Sequence, residues 1–125
     1  MTTLLALFRR PDGGPEAQAT FEQRYAAEHL PLVAGTPGLR ATRVQRVVTA
    51  LGVDTDLILA TTMEFDDRAS LDAGLASDAM RAGARNLREI APGLATLLVL
   101  DDAPDMSAAA SPAVDTVGTT TEDAS

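Results

Sequence analysis

The 125-residue chain has no cysteine, which excludes disulfides, thiolate nucleophiles and any sulfur-ligated metal centre. Its one histidine, His29, leaves no cluster of imidazoles, so a metal would have to rest on carboxylates alone. No metal site is expected. Lysine is also absent: the ten basic residues are all Arg, against eighteen acids, for a net charge of -8. A nucleic-acid binder needs a basic patch to neutralise phosphates, and an anionic membrane attracts the same kind of patch. Neither nucleic acid nor a membrane surface is therefore expected as a partner. Long apolar runs are missing too. The opening MTTLLALFRRPDGG is too short in its apolar part for a signal peptide or a span, and Arg9 and Arg10 follow that part rather than precede it. A cytoplasmic protein is the expectation. There is no GxGxxG and no P-loop, and no serine sits in a nucleophile elbow. A single histidine without a recognisable acid partner also argues against a catalytic triad.

What remains is ordinary globular material, 46% hydrophobic and 22% charged, in a chain short enough for one domain. The charge is unevenly spread. Residues 103–125 (APDMSAAASPAVDTVGTTTEDAS) carry four acids, no Arg and no aromatic group. A segment so poor in large apolar side chains cannot offset the entropy of ordering it. The expected organisation is one folded domain over residues 1–102 and a disordered acidic tail over 103–125. An arm laid over a partner subunit is the alternative for that tail.

Within the domain, Thr3–Arg9 reads as a strand that ends at Pro11, Asp12, Gly13 and Gly14. Pro15 then suits a first helical turn, with Glu16 at the positive helix end. Phe21, Tyr25 and Leu32 recur at spacings of four and seven, and Ala26, Leu30 and Val33 broaden the stripe into an amphipathic helix. Pro31 disfavours helical geometry at Leu30, so a kink or restart is expected there. Arg40–Ala50 and Leu57–Phe65 read as strands. Asp66 or Asp67 caps a second helical region, and Ser77 is a fresh cap for Asp78–Ala91, where Met80, Ala84, Leu87 and Ala91 share a face. Leu94–Leu100 is a last strand. The order β-α-β-β-α-β is the ferredoxin-like α+β pattern, an antiparallel sheet with helices on one face.

Such a sheet should alternate apolar with polar residues, and this one does not. Leu5 and Leu7 point one way while Leu4, Ala6 and Phe8 point the other. Leu57, Leu59, Met63 and Phe65 oppose Ile58 and Ala60, and Leu94, Leu98 and Leu100 oppose Leu97 and Val99. The face away from the helices needs a cover, and a second copy of the chain packed sheet to sheet supplies it, as a two-fold homodimer. The strand with Arg40, Arg43 and Arg46 suits a sheet edge.

The stretches LLALFRRPDG, FEQRYAAEHLPLVAGTPGLR and LASDAMRAG resemble the EthD family of small dimeric α+β barrel proteins. The most specific element is Tyr25, three intervening residues, His29-Leu30-Pro31-Leu32 and then Pro37-Gly38-Leu39. The likeness spans roughly residues 3–100, and its order of motifs agrees with the β-α-β-β-α-β reading. It implies a dimeric α+β barrel with a cavity between sheet and helices. It also implies cofactor-independent chemistry on small hydrophobic cyclic or aromatic compounds, in catabolic or polyketide-type metabolism. That chemistry would be a cyclisation, dehydration, isomerisation or oxygenation.

His29 is the only side chain that exchanges protons near neutral pH without a large shift. Four residues after Tyr25, it is placed to act as a general acid or base in an apolar cavity, with the Tyr25 hydroxyl as its hydrogen-bond partner or as a substrate clamp. The plainer reading is a histidine near a helix C-terminus that caps carbonyls. Leu7, Phe8, Phe21 and Met63 are the candidate walls of a substrate pocket, or simply core. Arg43 and Arg46 could bind an anionic group but equally suit a solvated edge. Two functions stay open: a cofactor-free enzyme using His29 and Tyr25, or a non-catalytic protein that carries a hydrophobic metabolite for an oxidase system.

Overall fold

The structure, a computed structural model, describes residues 1–110. Strand β1 (Thr2–Arg9) runs into a reversal at Gly13 and Gly14, whose φ values of 109° and 76° are ones that side chains with a Cβ rarely adopt. Helix α1 (Gly14–Arg24) follows directly, with its proline in the first turn where no amide partner is lost. A π-helical turn (Tyr25–His29) and a short α2 (Leu30–Val33) complete this arm. Strands β2 (Ala41–Arg46) and β3 (Leu57–Phe65) come next. Helices α3 (Arg68–Leu75) and α4 (Asp78–Ile90) precede β4 (Ala95–Asp101) and α5 (Pro104–Ala110). Both expected caps are in place. Asp67 accepts from the Ser70 amide at 2.8 Å, and Ser77 from the Met80 amide at 3.3 Å.

The sheet is antiparallel throughout, in the order β2-β3-β1-β4. This is the ferredoxin-like α+β fold. As expected, the Arg-rich strand lies at an edge, and Arg46 pairs with Glu22 of α1 at 2.8 Å. Strand β2 stops at Arg46 instead of running to Ala50. Only the Val47 amide, bonded to the Ile58 carbonyl at 2.9 Å, continues the ladder.

The cross-strand register decides which side chains share a face. Leu4, Ala6 and Phe8 of β1 pair with Met63, Thr61 and Leu59 of β3, and all six are buried under the helices. Val99, Leu97 and Ala95 of β4 lie on that same face. Leu5 and Leu7 share the opposite face with Leu98, Leu100 and Ala60. One expectation is corrected here. A β-bulge between Phe8 and Arg9 sets Leu57 opposite Arg9 and turns Ile58 into the core beside Phe8 and Phe21, so strict alternation fails at the start of β3.

The helices do not reach across β4. Leu97 is 53% exposed on the helix side, and Leu98 and Leu100 are 42% and 44% exposed on the other. Beneath the helices the core falls into two clusters. One gathers Ala6, Phe8, Phe21, Tyr25, Ile58, Leu59 and Ala91; the other gathers Leu4, Val33, Met63, Phe65, Leu71 and Met80. The tail expected over 103–125 falls mostly outside the described residues. Its described part holds the exposed helix α5. Among the described residues no helix is long and apolar enough to cross a membrane.

Candidate functional site

The arm of helix that carries His29 is built around a missing amide. Pro31 cannot donate a backbone hydrogen bond, so an unbroken α-helical ladder through this point is impossible. The chain widens into a π-turn instead, and the Leu30 amide bonds back to the Tyr25 carbonyl five residues earlier. This has a consequence for the side chains. At 3.6 residues per turn, positions four apart drift by about 40° around an α-helix, so three such steps swing a side chain by roughly a third of a turn. Yet Phe21, Tyr25, His29 and Val33, each four after the last, are all buried against the sheet. The wider turn takes up the drift. It also turns Leu32, expected in the apolar stripe, out to 38% exposure.

His29 stacks on Tyr25, with ring centroids 5.0 Å apart and planes inclined by 19°. Tyr25 in turn meets Phe8 edge-on at 5.0 Å and shares a hydrogen bond of 2.7 Å with Thr61 of β3. These contacts fix the row from below. Above it, α4 presents Gly83. A Cβ added there would sit 2.6 Å from a Val33 methyl and 3.3 Å from His29 Cε1. Only glycine lets α4 come this close to the imidazole.

Between the two core clusters lies a cavity of about 140 Å³. His29, Tyr25 and Thr61 supply its polar groups. Leu4, Ala6, Met63, Met80, Ala84 and Leu87 supply most of its apolar wall. Half-exposed Leu97 stands at the β4 edge of the cavity, where no helix covers the sheet. His29 is only 6% exposed, and its Nδ1 is buried with no hydrogen-bond partner. Burial pushes its pKa below the ordinary 6.5, partly opposed by the Asn86 side chain and the Gly83 carbonyl, so the ring is neutral at pH 7. Burial also raises the Tyr25 phenol above its usual 10, against the pull of Thr61. Among the described residues no three His, Asp or Glu side chains converge as a metal site would require.

No protein-family model matches the chain, and no curated protein does. Solved structures do. An EthD family protein from Bacillus halodurans is 28% identical, with a TM-score of 0.74 over 82% of this chain and 99% of its own. The likeness is to the EthD family. A dimeric ferredoxin-like protein from Bacteroides fragilis superposes with a TM-score of 0.60 at 18% identity, covering 81% of this chain and 95% of its own. SnoaB from Streptomyces nogalater, a cofactor-independent oxygenase, superposes with a TM-score of 0.52 at 17% identity, over 81% and 91% of the two chains. These last two likenesses speak for the fold.

In this EthD-like chain the side chains singled out from sequence divide into two groups. His29, Tyr25 and Met63 meet at the cavity. Phe8 and Phe21 pack with Tyr25 in the adjoining core, their own rings 5.5 Å apart, and Leu7 lies on the opposite face of the sheet. Sequence reading missed Thr61, Gly83, Ala84 and Leu97 as cavity residues. Thr61 was legible in principle, as a lone hydroxyl on the inward phase of an apolar strand.

Two expectations follow from the buried ring. Gly83→Ala should gain about 1 kcal/mol of helix propensity yet lose more through the clash with Val33 and His29, since overpacking costs about 1–3 kcal/mol. Urea denaturation should therefore show a net loss of stability. The second concerns acid. A histidine whose folded pKa is depressed stays neutral in the native state while the unfolded chain takes up a proton, so stability is intact above the unfolded value and falls as pH drops below it. Between about pH 5 and 6.5 this sole histidine should dominate the slope, because the depressed carboxylates Glu22, Glu28 and Asp67 titrate lower. Melts of wild type and His29→Gln across that window should diverge, with the flatter profile in the variant.

Proposed function

We propose that the protein is a homodimeric, cofactor-independent cytoplasmic enzyme that moves a proton on a small hydrophobic ring compound, with His29 as the general base. The observation that carries this reading is a buried imidazole, held neutral by that burial, which lines an apolar cavity. A base must hold a free lone pair at working pH, and a depressed pKa supplies one. Tyr25 stays a protonated phenol. Its tie to Thr61 aligns the ring against which the imidazole stacks, and its hydroxyl at the cavity wall offers a polar handle to an oxygen substituent.

Size narrows the substrate. Drug-sized pockets run to about 300–1,000 Å³, whereas an engineered apolar cavity of about 150 Å³ takes up benzene. At about 140 Å³ this cavity suits one ring, not the fused rings of a polyketide. A monocyclic ketone combines that size with a carbon that keeps its α-proton at neutral pH, so a base has a proton to remove. In the reaction, His29 Nε2 takes a proton from the carbon beside the carbonyl, the electron pair moves into an enolate oxygen, and the proton returns to a carbon or exchanges with water.

Deuterium wash-in from solvent into cyclohexanone, or a ring-substituted analogue, followed by NMR, tests this directly. The protein should accelerate exchange by about 10²–10⁴-fold over buffer, with His29→Gln abolishing the effect. Ring compounds that bind equally to wild type and His29→Gln, without exchange in either, would instead identify a carrier.

The dimer is supported by the outer sheet face, where half-buried Leu5 and Leu7 lie beside exposed Leu98 and Leu100, and by neighbours described as dimeric. Sedimentation should find twice the 13.0 kDa chain mass, and Leu98→Glu should shift it towards the single chain. A wild-type monomer would remove this part of the proposal.

A further inference from the structure

Asn86 sits on α4 three residues beyond Gly83, and its amide has one orientation only. Nδ2 donates to Glu28 Oε1 at 3.0 Å. Glu28 is itself held by Arg24, whose Nε and Nη2 donate to its two oxygens at 2.8 and 3.0 Å. A carboxylate only accepts, so the amide nitrogen must face Glu28 and Oδ1 must face away. Asn86 Oδ1 is then buried with no partner, and so is His29 Nδ1. The first can only accept. The second can donate if it carries the ring proton.

We propose that Asn86 is the positioning residue of His29: its Oδ1 accepts from Nδ1–H and holds the neutral ring in the tautomer whose Nε2 lone pair serves the cavity. This rests on the reading of His29 as a base. Hydrogen bonds of this kind often tighten only when substrate is bound. A Cβ built on Gly83, less than a turn before Asn86 on α4, would stand 3.8 Å from His29 Nδ1, so this stretch of α4 faces that nitrogen with the Asn86 amide and the Gly83 carbonyl. That carbonyl lies in the middle of α4, where the helical ladder already engages it.

The groups around the ring explain why an amide and not a charge does this work. Tyr25, on the same turn, is tied to Thr61. Glu28 is spent on Arg24 and Asn86, and from α4 Glu89 also binds Arg24, at 3.1 Å. From the sheet come Leu4, Ala6 and Met63. A carboxylate at the Asn86 position would hold the ring protonated, whereas an amide orients it and leaves it neutral. When Nε2 takes the substrate proton, the Nδ1–H bond to Oδ1 becomes charge-assisted and strengthens, so it stabilises the transition state more than the ground state.

Because His29 is the only histidine, its imidazole nitrogens can be followed by ¹⁵N NMR without assignment of the rest of the protein. Wild type near neutral pH should show the Nδ1–H tautomer. In Asn86→Leu the ring should pass to the Nε2–H tautomer, and deuterium exchange into cyclohexanone should slow by about tenfold or more with KM little changed, the loss of one hydrogen bond to a forming cation. Asn86→Asp, nearly isosteric, should raise the His29 pKa by about one unit or more. A wild-type ring in the Nε2–H tautomer would overturn the proposal, and that measurement needs no substitution. An unchanged tautomer in a folded Asn86→Leu would also overturn it and assign the role to the Gly83 carbonyl. If instead the tautomer behaves as stated but wild type exchanges no deuterium, the positioning stands and the base reading fails.

Discussion

One missing hydrogen-bond donor organises the site. Pro31 deprives the first helical arm of an amide, and the arm responds by widening rather than breaking, with Leu30 reaching back to Tyr25. An unrelieved α-helix would carry every fourth residue around towards solvent. Here Phe21, Tyr25, His29 and Val33 stay in one buried row, and the row crosses from one core cluster to the other. The imidazole lands where the two clusters fail to meet. Its burial, its stacking on Tyr25 and its depressed pKa all follow from that placement.

The same arrangement explains why small residues recur around the ring. Gly83 and Ala84 of α4 and Ala6 of β1 withdraw side-chain volume from the space His29 faces. Gly83 also has a second duty, since only its lack of a Cβ admits Val33 and the imidazole together. Outside this shell the packing is conventional: Phe8, Phe65 and Leu71 are fully buried. Polar side chains on the outer surface of α1 and the π-turn are linked into a chain, from Arg46 to Glu22 and from Glu89 through Arg24 to Glu28 and Asn86. Where these pairs are exposed they add little stability, but the last link ends on a buried atom beside His29, and there geometry matters more than energy.

Much of the fold was legible in the sequence because it is carried by local signals. Gly13 and Gly14 mark the reversal, and Asp67 and Ser77 announce their helices. His29 and Tyr25 could be paired from a spacing of four. What escaped depends on relations across the chain. The bulge that turns Ile58 inward is a property of the β1–β3 pairing, so no reading of β3 alone reveals it. The misplacement of Leu32 has the same origin, since a period of 3.6 was applied across a turn that does not keep it. Leu7 was grouped with Phe8 for its size, although neighbours on a strand point to opposite faces. Thr61 and Gly83 reach the cavity through tertiary packing; Gly83 carries no signal that spacing can detect, and Thr61 only that of a lone hydroxyl on the inward phase of its strand.

The cavity itself is the strongest argument that the site is not an accident of packing. Empty space left in a core costs about 24 cal/mol per Å³, so a void of about 140 Å³ corresponds to roughly 3 kcal/mol, reduced to the extent that it opens at Leu97. That is a sizeable share of the 5–15 kcal/mol by which domains are stable. Larger side chains at Ala6 or Ala84 would recover part of it. An unpartnered imidazole nitrogen in the same place adds a further desolvation cost that a leucine would not incur. Packing alone favours neither feature, and each makes the other intelligible. On the proposed reading, a small apolar molecule would restore the lost contacts, and a neutral histidine would give that molecule something to react with.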